Sequence, residues 1–293
     1  MTRTLFLKLL RDVRFGLIAV CALLFLFEML WARVTHTISV RILENPTLRA
    51  MKDLFESVLF QGPGQVIKVL MGGDIDVTRA LDTFSIGFVH PVVQIILCVW
   101  AIGRSSGALA GELDRGTMEL LLAQPVPRSR LVLAHLLIEC LAIPALCLSM
   151  FLGSMVGLAA VGLLDHANPD LRVDPLRLAP ALLSHAFLLF AISGLSIFIS
   201  ALGRFRSRVL GIGVISTLLM FLLNVLAQLW GDVAFVRPYT VFYYFDPQTI
   251  ILHADWARMG MVWLRLGVLL GLGSLGYAAA LLVFSRRDLP APL

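Results

Sequence analysis

The sequence predicts an all-α integral membrane protein with about six transmembrane helices. Hydrophobic residues make up 59% of its 293 residues and charged residues 15%, against roughly 45–50% and about 25% in soluble domains. The mean hydropathy is +0.89, and most of the chain lies in apolar runs of the length that crosses a bilayer, about 20 residues. No length remains for a separate soluble domain, so we expect a single transmembrane domain over residues 1–293.

Six apolar runs have the length of a transmembrane helix. The third is longer than a bilayer requires, so it tilts, extends into the cytoplasm, or bends at Pro144 and Gly153. G-x-x-x-G patterns at Gly153–Gly157 in the third run and Gly267–Gly271 in the sixth predict close helix packing. The six runs are Phe15–Ala32, Phe84–Gly103, Leu131–Leu164, Leu178–Leu202, Val209–Trp230 and Met261–Phe284.

Basic residues are unequally distributed among the segments that connect these runs. The N-terminal arm, the 104–130 segment, the tight loop at 204–208 and the tail hold thirteen basic and five acidic residues, a net charge of +8. The other side carries eleven basic residues, counting Arg265 near the outer start of the sixth run, and twelve acidic residues, a net charge of −1. Because cytoplasmic loops are enriched in Lys and Arg, both termini are predicted to be cytoplasmic. Residues 1–14 are expected to form an amphipathic helix on that surface.

Composition also argues against several other classes of protein. The basic residues are spread over short loops that flank the membrane, which argues against a nucleic-acid-binding patch. All four cysteines fall in apolar runs, so the sequence predicts neither a disulfide framework nor a zinc site. The first apolar run exceeds the hydrophobic region of a cleavable signal peptide, so we expect it to be retained.

Two longer segments lie on the predicted outer side. Residues 33–83 have a partly helical pattern at Leu48–Phe60 and breaks at Gly62-Pro63-Gly64 and Gly72-Gly73. They form either an extracytoplasmic cap or a surface connector. Residues 231–260 concentrate aromatic side chains, which favour the bilayer interface. An interfacial belt or a re-entrant hairpin is expected there, with a ligand-binding aromatic cluster as the alternative.

The segment Gly111–Arg130, GELDRGTMELLLAQPVPRSR, is a charged island between the second and third runs. From Gly111 to Gln124 its charged and apolar residues alternate as on the two faces of a helix. Gly116-Thr117 offers a point of helix restart with Thr117 as N-cap, and Pro125-Val126-Pro127 ends the helix. We predict a short capped helix parallel to the membrane.

Residues Gly111–Arg128 follow the pattern G-E-(I/L)-(D/E)-R-G-T-(M/L)-E-L-L-L-x-x-P-V-x-R. This pattern resembles the hallmark cytoplasmic loop of type-2 ABC transporter permeases. The six-span layout and the sequence Gly87-Phe88-Val89-His90-Pro91 at the start of the second run fit that resemblance. One branch of this family serves metal-enzyme maturation, and the chain is similar to the permease of the copper-processing system that matures nitrous-oxide reductase.

The resemblance implies an exporter subunit of the bacterial cytoplasmic (inner) membrane that forms dimers, a homodimer being the expected form. It also implies that the helix between the second and third spans docks in a cleft of a separate cytoplasmic ATPase, which binds ATP and Mg²⁺. The alternative for this segment is a lipid-facing amphipathic linker. The coupling residues carried over are Glu112, Asp114, Arg115, Gly116, Thr117 and Glu119, with Pro125 and Arg128 fixing the exit into the third span.

The chain is predicted to be a transport subunit and not an enzyme. It lacks the motif G-x-x-x-x-G-K-[ST], and its only lysines are Lys8, Lys52 and Lys68, so ATP must bind a partner. One alternative is a non-transporting mechanotransmitter that acts on a periplasmic partner through residues 33–83. Another is an intramembrane enzyme, although neither a Ser-His nor an H-E-x-x-H arrangement occurs.

Polar residues inside the spans indicate either a transport path or structural pairs. For Glu28 the structural alternative is an outer-interface position near Arg33, and for Glu139 it is a pair with a nearby basic residue or with backbone. The ten Met and six His residues are scattered without metal-ligand spacing, which leaves copper handling as a minor alternative. The pathway candidates are Glu28, His90, Glu139, His185 and Asn224.

Overall fold

The structure is a computed structural model that describes residues 2–45, 47, 69, 75–118 and 127–287. These residues contain helices and irregular segments and no β-strand, which confirms the all-α prediction. Six helical stretches among them are long and apolar enough to cross a membrane. The α-helices are α1 (Thr2–Glu44), α2 (Ala80–Val89), α3 (Pro91–Ala108), α4 (Ala110–Asp114), α5 (Arg128–Ala160), α6 (Leu182–Leu202), α7 (Arg206–Leu229), α8 (Pro247–Leu252) and α9 (Gly260–Arg286).

Helix α1 is one continuous helix of 43 residues, about 65 Å long at 1.5 Å per residue and so about twice the thickness of the bilayer core. Residues 2–14, which the sequence predicts to form an amphipathic helix, are helical and continue without a break into the first span. The sequence there is rich in Leu, Lys and Arg, which favour helix, and contains no proline or glycine before Gly16. Helix α1 also continues past Ala32 to Glu44. The predicted helix at 48–60 and the two glycine breaks lie outside the described residues.

The predicted second span consists of two helices, α2 and α3, that meet at His90. The backbone of His90 is extended, with φ −60° and ψ 132°, because a residue before proline is disfavoured from the helical conformation. Pro91 then starts α3 at a position where its missing N–H costs nothing. The Nδ1 atom of His90 accepts a hydrogen bond from the backbone N–H of Val92 at 3.2 Å. The predicted span at Phe84–Gly103 is thus confirmed as a span, with a break at His90.

Helix α5 continues through Pro144 without a break and ends at Ala160, short of the predicted Leu164. Gly162 has a φ of +72°, which glycine adopts at little cost. The N–H of Leu163 donates to the carbonyl of Leu158 at 3.0 Å, the long bond of a Schellman C-cap. This cap stops the helix although the following residues are apolar.

The fourth span begins at Leu182, later than the predicted Leu178. Residues Ala179–Ala181 form a 3₁₀ turn around Pro180, and the preceding connection contains further 3₁₀ turns at Pro169–Leu171 and Pro175–Arg177. Helices α7 and α9 begin and end within three residues of the predicted bounds. The spans are therefore confirmed in number and type, with errors at their ends.

Helices α1 and α5 run parallel in tight contact. The thiol of Cys21 lies 3.7 Å from the carbonyl oxygen of Ala145, and further along both helices Gly153 contacts Phe25. A Cβ atom on Gly153 would lie 2.4 Å from the Phe25 carbonyl oxygen, and one on Gly157 would meet backbone at 2.8 Å. The prediction of close packing at Gly153–Gly157 is confirmed.

The second G-x-x-x-G prediction is wrong for contacts within the described chain. A Cβ atom on Gly267 or Gly271 would meet none of its atoms within 4 Å. The tight glycine contact of α9 lies one to two turns later, where Gly273 and Gly276 pack on Gly194 of α6. A Cβ on Gly276 would lie 2.4 Å from the Gly194 carbonyl. Helix α9 thus uses glycines that the sequence pattern did not indicate.

Three of the predicted basic segments meet at one end of the bundle, which we call the loop end. The guanidinium of Arg128 at the start of α5 donates to the carbonyl of Arg287, just after α9. Arg287 donates in turn to the carbonyl of Ala201 near the end of α6. The N–H of Arg206 at the start of α7 donates to the carboxylate of Asp114 in α4. The opposite end, which carries residues 231–258, is called the far end.

Large apolar side chains remain exposed on the outside of the bundle, especially on α1, α7 and α9. Phe15, Ile215 and Leu275 are about 70% exposed, at 71%, 68% and 69%. Extended apolar surface of this kind faces lipid or a partner. The exposure agrees with a multi-pass membrane protein.

Candidate functional site

The connection between the second and third spans begins with helix α4 and a tight turn. Gly116 has a φ of +69°, the left-handed conformation that closes a helix at a glycine. The N–H of Thr117 donates to the carbonyl of Glu112 at 3.1 Å, and that of Gly116 donates to Leu113 at the same distance. These two bonds form a second Schellman cap, so α4 ends where the chain turns.

The turn falls at Gly116-Thr117, where the sequence predicts a helix restart, and the chain is helical again at Met118. The rest of the predicted coupling helix, residues 119–126 with Glu119 and Pro125, lies outside the described residues. The described part is therefore helix α4, the turn and the first helical residue after it.

Among the predicted coupling residues, Glu112 is bound within the segment itself. Its carboxylate pairs with the guanidinium of Arg115 at 2.7 Å and accepts a hydrogen bond from the hydroxyl of Thr117. Asp114, Arg115 and Gly116 are exposed. The surface that a partner can reach in this part of the segment is the turn. Glu112 stabilises the turn through its contacts with Arg115 and Thr117.

The segment is fastened to helix α6 by one hydroxyl group. The Ser200 hydroxyl accepts the N–H groups of Leu109 at 3.3 Å and Ala110 at 3.0 Å, and donates to the carbonyl of Ser106 at 3.2 Å. Met118 is 2% exposed and lies in an apolar cluster with side chains from α5, α6 and α9. Movement of this segment would therefore displace three spans.

Arg128, the predicted exit residue, connects α5 to the same assembly. Its bond to the Arg287 carbonyl places Arg287 so that its own guanidinium reaches the carbonyls of Ala201 at 2.7 Å and Gly203 at 2.8 Å. Burial lowers the pKa of Arg287, and nearby Arg204 lowers it further. Arg287 thus satisfies backbone carbonyls at the end of α6 that lack a partner within the helix, and Arg128 satisfies the carbonyl of Arg287 just after α9.

The pathway candidate Glu139 forms a buried ion pair. Its Oε1 atom lies 3.1 Å from Nη1 of Arg104, and the two side chains are 0% and 7% exposed. Nη2 of Arg104 donates to the carbonyl of His135 at 3.3 Å. His135, Trp100 and Tyr277 are also buried, at 8%, 8% and 3% exposure. The structural alternative for Glu139, a pair with a basic residue, is what the structure shows.

The sequence predicts a loop that begins at residue 104, and this prediction is wrong for Arg104. It lies inside α3, which continues to Ala108. A signal was present in the sequence, because small and apolar residues continue from Ser105 to Ala110 without a charge. His135 and Tyr277 gave no comparable signal, since they join the cluster only through the packing of α5 and α9.

Glu28 lies fully buried between α1 and α5, not at the outer interface near Arg33. The Ser154 hydroxyl donates to Oε2 of Glu28 at 3.4 Å, and Oε1 has no hydrogen-bond partner among the described residues. Ser154 and Glu139 are 15 residues apart on α5, about 22 Å at 1.5 Å per residue. Glu28 and Glu139 therefore do not form the acid pair that an intramembrane enzyme would need.

The two histidine candidates hold helices together. His185 is buried, with Nε2 2.9 Å from the Phe88 carbonyl and Nδ1 3.3 Å from the Ala181 carbonyl. Its ring packs edge-on against Phe245, with centroids 4.9 Å apart. His90 lies at the break between α2 and α3 and packs on α1. These contacts do not bring the two residues to one cavity.

Asn224, the last pathway candidate, lines a cavity of about 200 Å³ at the far end. Its Oδ1 atom is buried and without a hydrogen-bond partner in the described part of the chain. The wall of the cavity is mainly polar and comes from Val69, α2, α3, α7, α8, α9 and the 231–246 segment. Its polar side chains include Gln94, Asn224, Gln228, Arg237, Tyr243, Asp246, Gln248 and Arg265.

Two arginines flank one tyrosine in this wall. The guanidinium carbons of Arg237 and Arg265 lie 5.2 Å and 5.5 Å from the centre of the Tyr243 ring, within the range of cation–π attraction. Arg265 forms a salt bridge with Asp246, which also caps α8 through Thr249. Burial lowers the pKa of Arg237, although a guanidinium remains charged at neutral pH.

The aromatic segment 231–260 folds back into the bundle at this cavity. Val241, Phe242 and Phe245 are buried, and Phe242 packs edge-on against Phe221 of α7 at 5.3 Å. Tyr239 stays 82% exposed. The segment therefore combines an inserted turn, as in the predicted re-entrant hairpin, with aromatics left at the surface.

A family model for the ABC-2 family transporter protein matches residues 6–289 of the chain. This range includes all six spans and the 104–130 segment. No curated protein and no solved structure matches the chain. Members of this family are the transmembrane components of ABC transporters and work with a cytoplasmic ABC ATPase. The chain belongs to the ABC-2 family of transporter proteins and is a membrane permease subunit.

Proposed function

We propose that the chain is the permease subunit of an exporter in the bacterial inner membrane, driven by an ATPase that docks on residues 111–130. The observation that supports docking is the construction of this segment. Met118 and the Ser200 contacts fix its base, while Asp114, Arg115 and Gly116 are exposed. An element held at its base and exposed at its tip transmits a push to the helices it contacts.

Three contacts connect the segment to the bundle, so that its displacement would move the helices. Ser200 connects it to α6, and the Asp114–Arg206 bond connects it to α7. The Arg128–Arg287 contact connects α5 with α9. Closure of the ATPase on ATP would then favour one packing of the spans over another. ATP and Mg²⁺ belong to the partner, because this sequence has no P-loop.

In this proposal the loop end faces the cytoplasm, because basic residues outnumber acidic residues in its segments. A second copy of the chain forms the other half of the transporter, and the exposed apolar faces of α1 and α7 meet that copy or lipid. The likeness to the permease of nitrous-oxide-reductase maturation stays a prediction from the sequence. No group of three or more potential metal ligands occurs among the described residues.

Charge reversal at the exposed turn tests docking. Arg115→Glu changes an exposed residue, and Arg258→Glu makes the same change at an exposed position of the far end. We expect Arg115→Glu to lower the amount of ATP-binding subunit that co-purifies with the tagged chain by about tenfold, as for one interface hot spot. Arg258→Glu should leave it unchanged. Equal recovery with both variants, or no ATP-binding subunit with the unaltered chain from native membranes, would overturn the docking proposal.

A second candidate function is the mechanotransmitter, which a charged cavity at the far end favours. This cavity has a volume of about 570 Å³, and its wall mixes charges of both signs, as suits a polar protein partner. Stimulation of ATPase activity in liposomes by a cargo would favour the exporter, and stimulation only by an added periplasmic protein would favour the transmitter. Its charged lining residues are Arg79, Asp82, Asp165, Asp170, Arg172, Asp174 and Arg177.

A further inference from the structure

We propose that the Arg237–Arg265 cavity binds the anionic headgroup of a phospholipid-like amphiphile whose hydrocarbon chain lies in the adjoining groove between α3 and α7. This assignment rests on the proposed transport function in one respect, because it names the class of ligand that the permease would hold. Three features of the cavity support it: its charge, its unpartnered polar atoms and its continuity with the groove.

The cavity carries an excess of positive charge. Arg237 and Arg265 both line it, while Asp246 is its acidic residue and is engaged by Arg265. Arg237 forms no salt bridge with a carboxylate among the described residues, and its partial burial removes some of the water that would otherwise solvate it. A guanidinium fork binds phosphate oxygens in a bidentate way. The cavity is therefore suited to a phosphate group.

Unpartnered polar atoms of the wall supply the remaining contacts. The Nε atoms of Arg237 and Arg265 are buried donors without a partner in the described chain, and Oδ1 of Asn224 is a buried acceptor without one. Buried polar groups are nearly always hydrogen-bonded. A phosphate beside a hydroxyl group, as in a glycerol phosphate headgroup, offers oxygens to the arginines and a donor to Asn224.

The apolar groove continues directly from this cavity. It has a volume of about 190 Å³ and lies between α3 and α7. The groove and the cavity share Gln94, Phe221 and Phe242 in their walls. Ile95 and Val99 on the α3 side are 61% and 64% exposed, so a hydrocarbon chain can enter sideways from the bilayer.

The combination favours an amphiphile over a soluble anion. A cavity of about 200 Å³ is smaller than the roughly 300–1,000 Å³ of sites that enclose whole drug-sized molecules. It fits a headgroup, and the groove would accept the apolar remainder. A free phosphate would use the arginines and leave the groove empty.

The test measures binding of defined probes to the full chain purified in a neutral detergent. Thermal unfolding is followed while phosphatidylglycerol, phosphatidylcholine, glycerol 3-phosphate or inorganic phosphate is added. We expect phosphatidylglycerol to raise the unfolding temperature at the lowest concentration. Tight binding of glycerol 3-phosphate or phosphate at the same concentration would overturn the lipid assignment in favour of a soluble anion, and equal binding of phosphatidylcholine would overturn the role of headgroup charge.

Two pairs of variants locate the bound lipid. Arg237→Gln removes one of the two cavity arginines and Arg258→Gln removes an exposed arginine that does not line the cavity. Val214→Trp fills the groove, and Ile215→Trp adds the same ring on the exposed face of α7. The first member of each pair should raise the half-saturating phosphatidylglycerol concentration about tenfold, as expected for loss of a charge-assisted hydrogen bond or of the chain site. If either behaves like its control, the corresponding half of the proposal is wrong.

A photoactivatable phosphatidylglycerol gives a result that does not depend on the folding of any variant. On the unaltered chain it should crosslink to the α3 and α7 residues that line the groove, and crosslinks confined to other faces would overturn the proposal. All these measurements use the chain without an ATPase. Failure of lipid binding is therefore separate from failure of the docking test at Arg115.

Discussion

The two halves of helix α5 each contact a buried carboxylate, one of them paired with a cation and the other not. Toward the loop end, Glu139 meets the full positive charge of Arg104. Toward the far end, Ser154 offers one hydroxyl to Glu28, in an interface where Gly153 lets the helix backbones touch. An acidic residue in a span is thus a poor guide to a transport path when a cation from another span neutralises it. Glu28, with no cation paired to it in the described chain, remains the better candidate for contact with a cargo.

The largest effect on the unfolding free energy is expected from breaking the Arg104–Glu139 ion pair. Glu139→Gln leaves Arg104 buried without its counter-charge, which costs about 3–5 kcal/mol of unfolding free energy. The double variant Arg104→Met, Glu139→Leu removes both charges and should recover most of that loss. Unfolding by denaturant in mixed micelles measures both. A single variant within about 1 kcal/mol of the unaltered chain would show that the pair is not stabilising α3 against α5.

The sequence predicted the spans well because burial in lipid imposes long apolar runs, and the six runs survive in the structure. It failed where one local contact decides the outcome. The break at Pro91 follows from the residue before a proline, which the count of apolar residues over Phe84–Gly103 does not detect. The early end of α5 depends on the left-handed Gly162, which hydropathy does not detect.

The candidate sites also differ in how far the sequence could predict them. The turn at Gly116 was predictable because it depends on neighbouring residues and on a motif. The Arg237–Arg265 cavity was not, since its walls come from α2, α3, α7, α8, α9 and an inserted loop, many of them far apart in sequence. Arg104 was predictable in part. The small residues that follow it indicate burial, but its pairing with Glu139 depends on the packing of α5.

An intermediate effect on the unfolding free energy is expected from the glycine contact in the half of α5 toward the far end. Gly153→Val would place side-chain atoms against the Phe25 backbone, where even a Cβ would lie 2.4 Å from the carbonyl oxygen. Overpacking of this kind costs about 1–3 kcal/mol. Gly267→Val is the matched control, because its Cβ meets no atom of the described chain within 4 Å. The same unfolding assay on the isolated chain should separate the two, and equal losses would contradict the close α1–α5 contact.

The smallest effect on stability is expected from Glu28→Gln. The glutamine is nearly the same size, and its side-chain oxygen can still accept the Ser154 hydroxyl, so no described ion pair is lost. The unfolding free energy should change by less than about 1 kcal/mol, near the value of one neutral hydrogen bond. Ser154→Ala should produce a change of similar size. A loss at Glu28 as large as that at Glu139 would mean that a cation neutralises Glu28 too, and the contrast between the halves of α5 would fall. If stability is kept while cargo-stimulated ATPase activity in liposomes drops, the carboxylate serves transport, because a purely structural role would have lowered the stability as well.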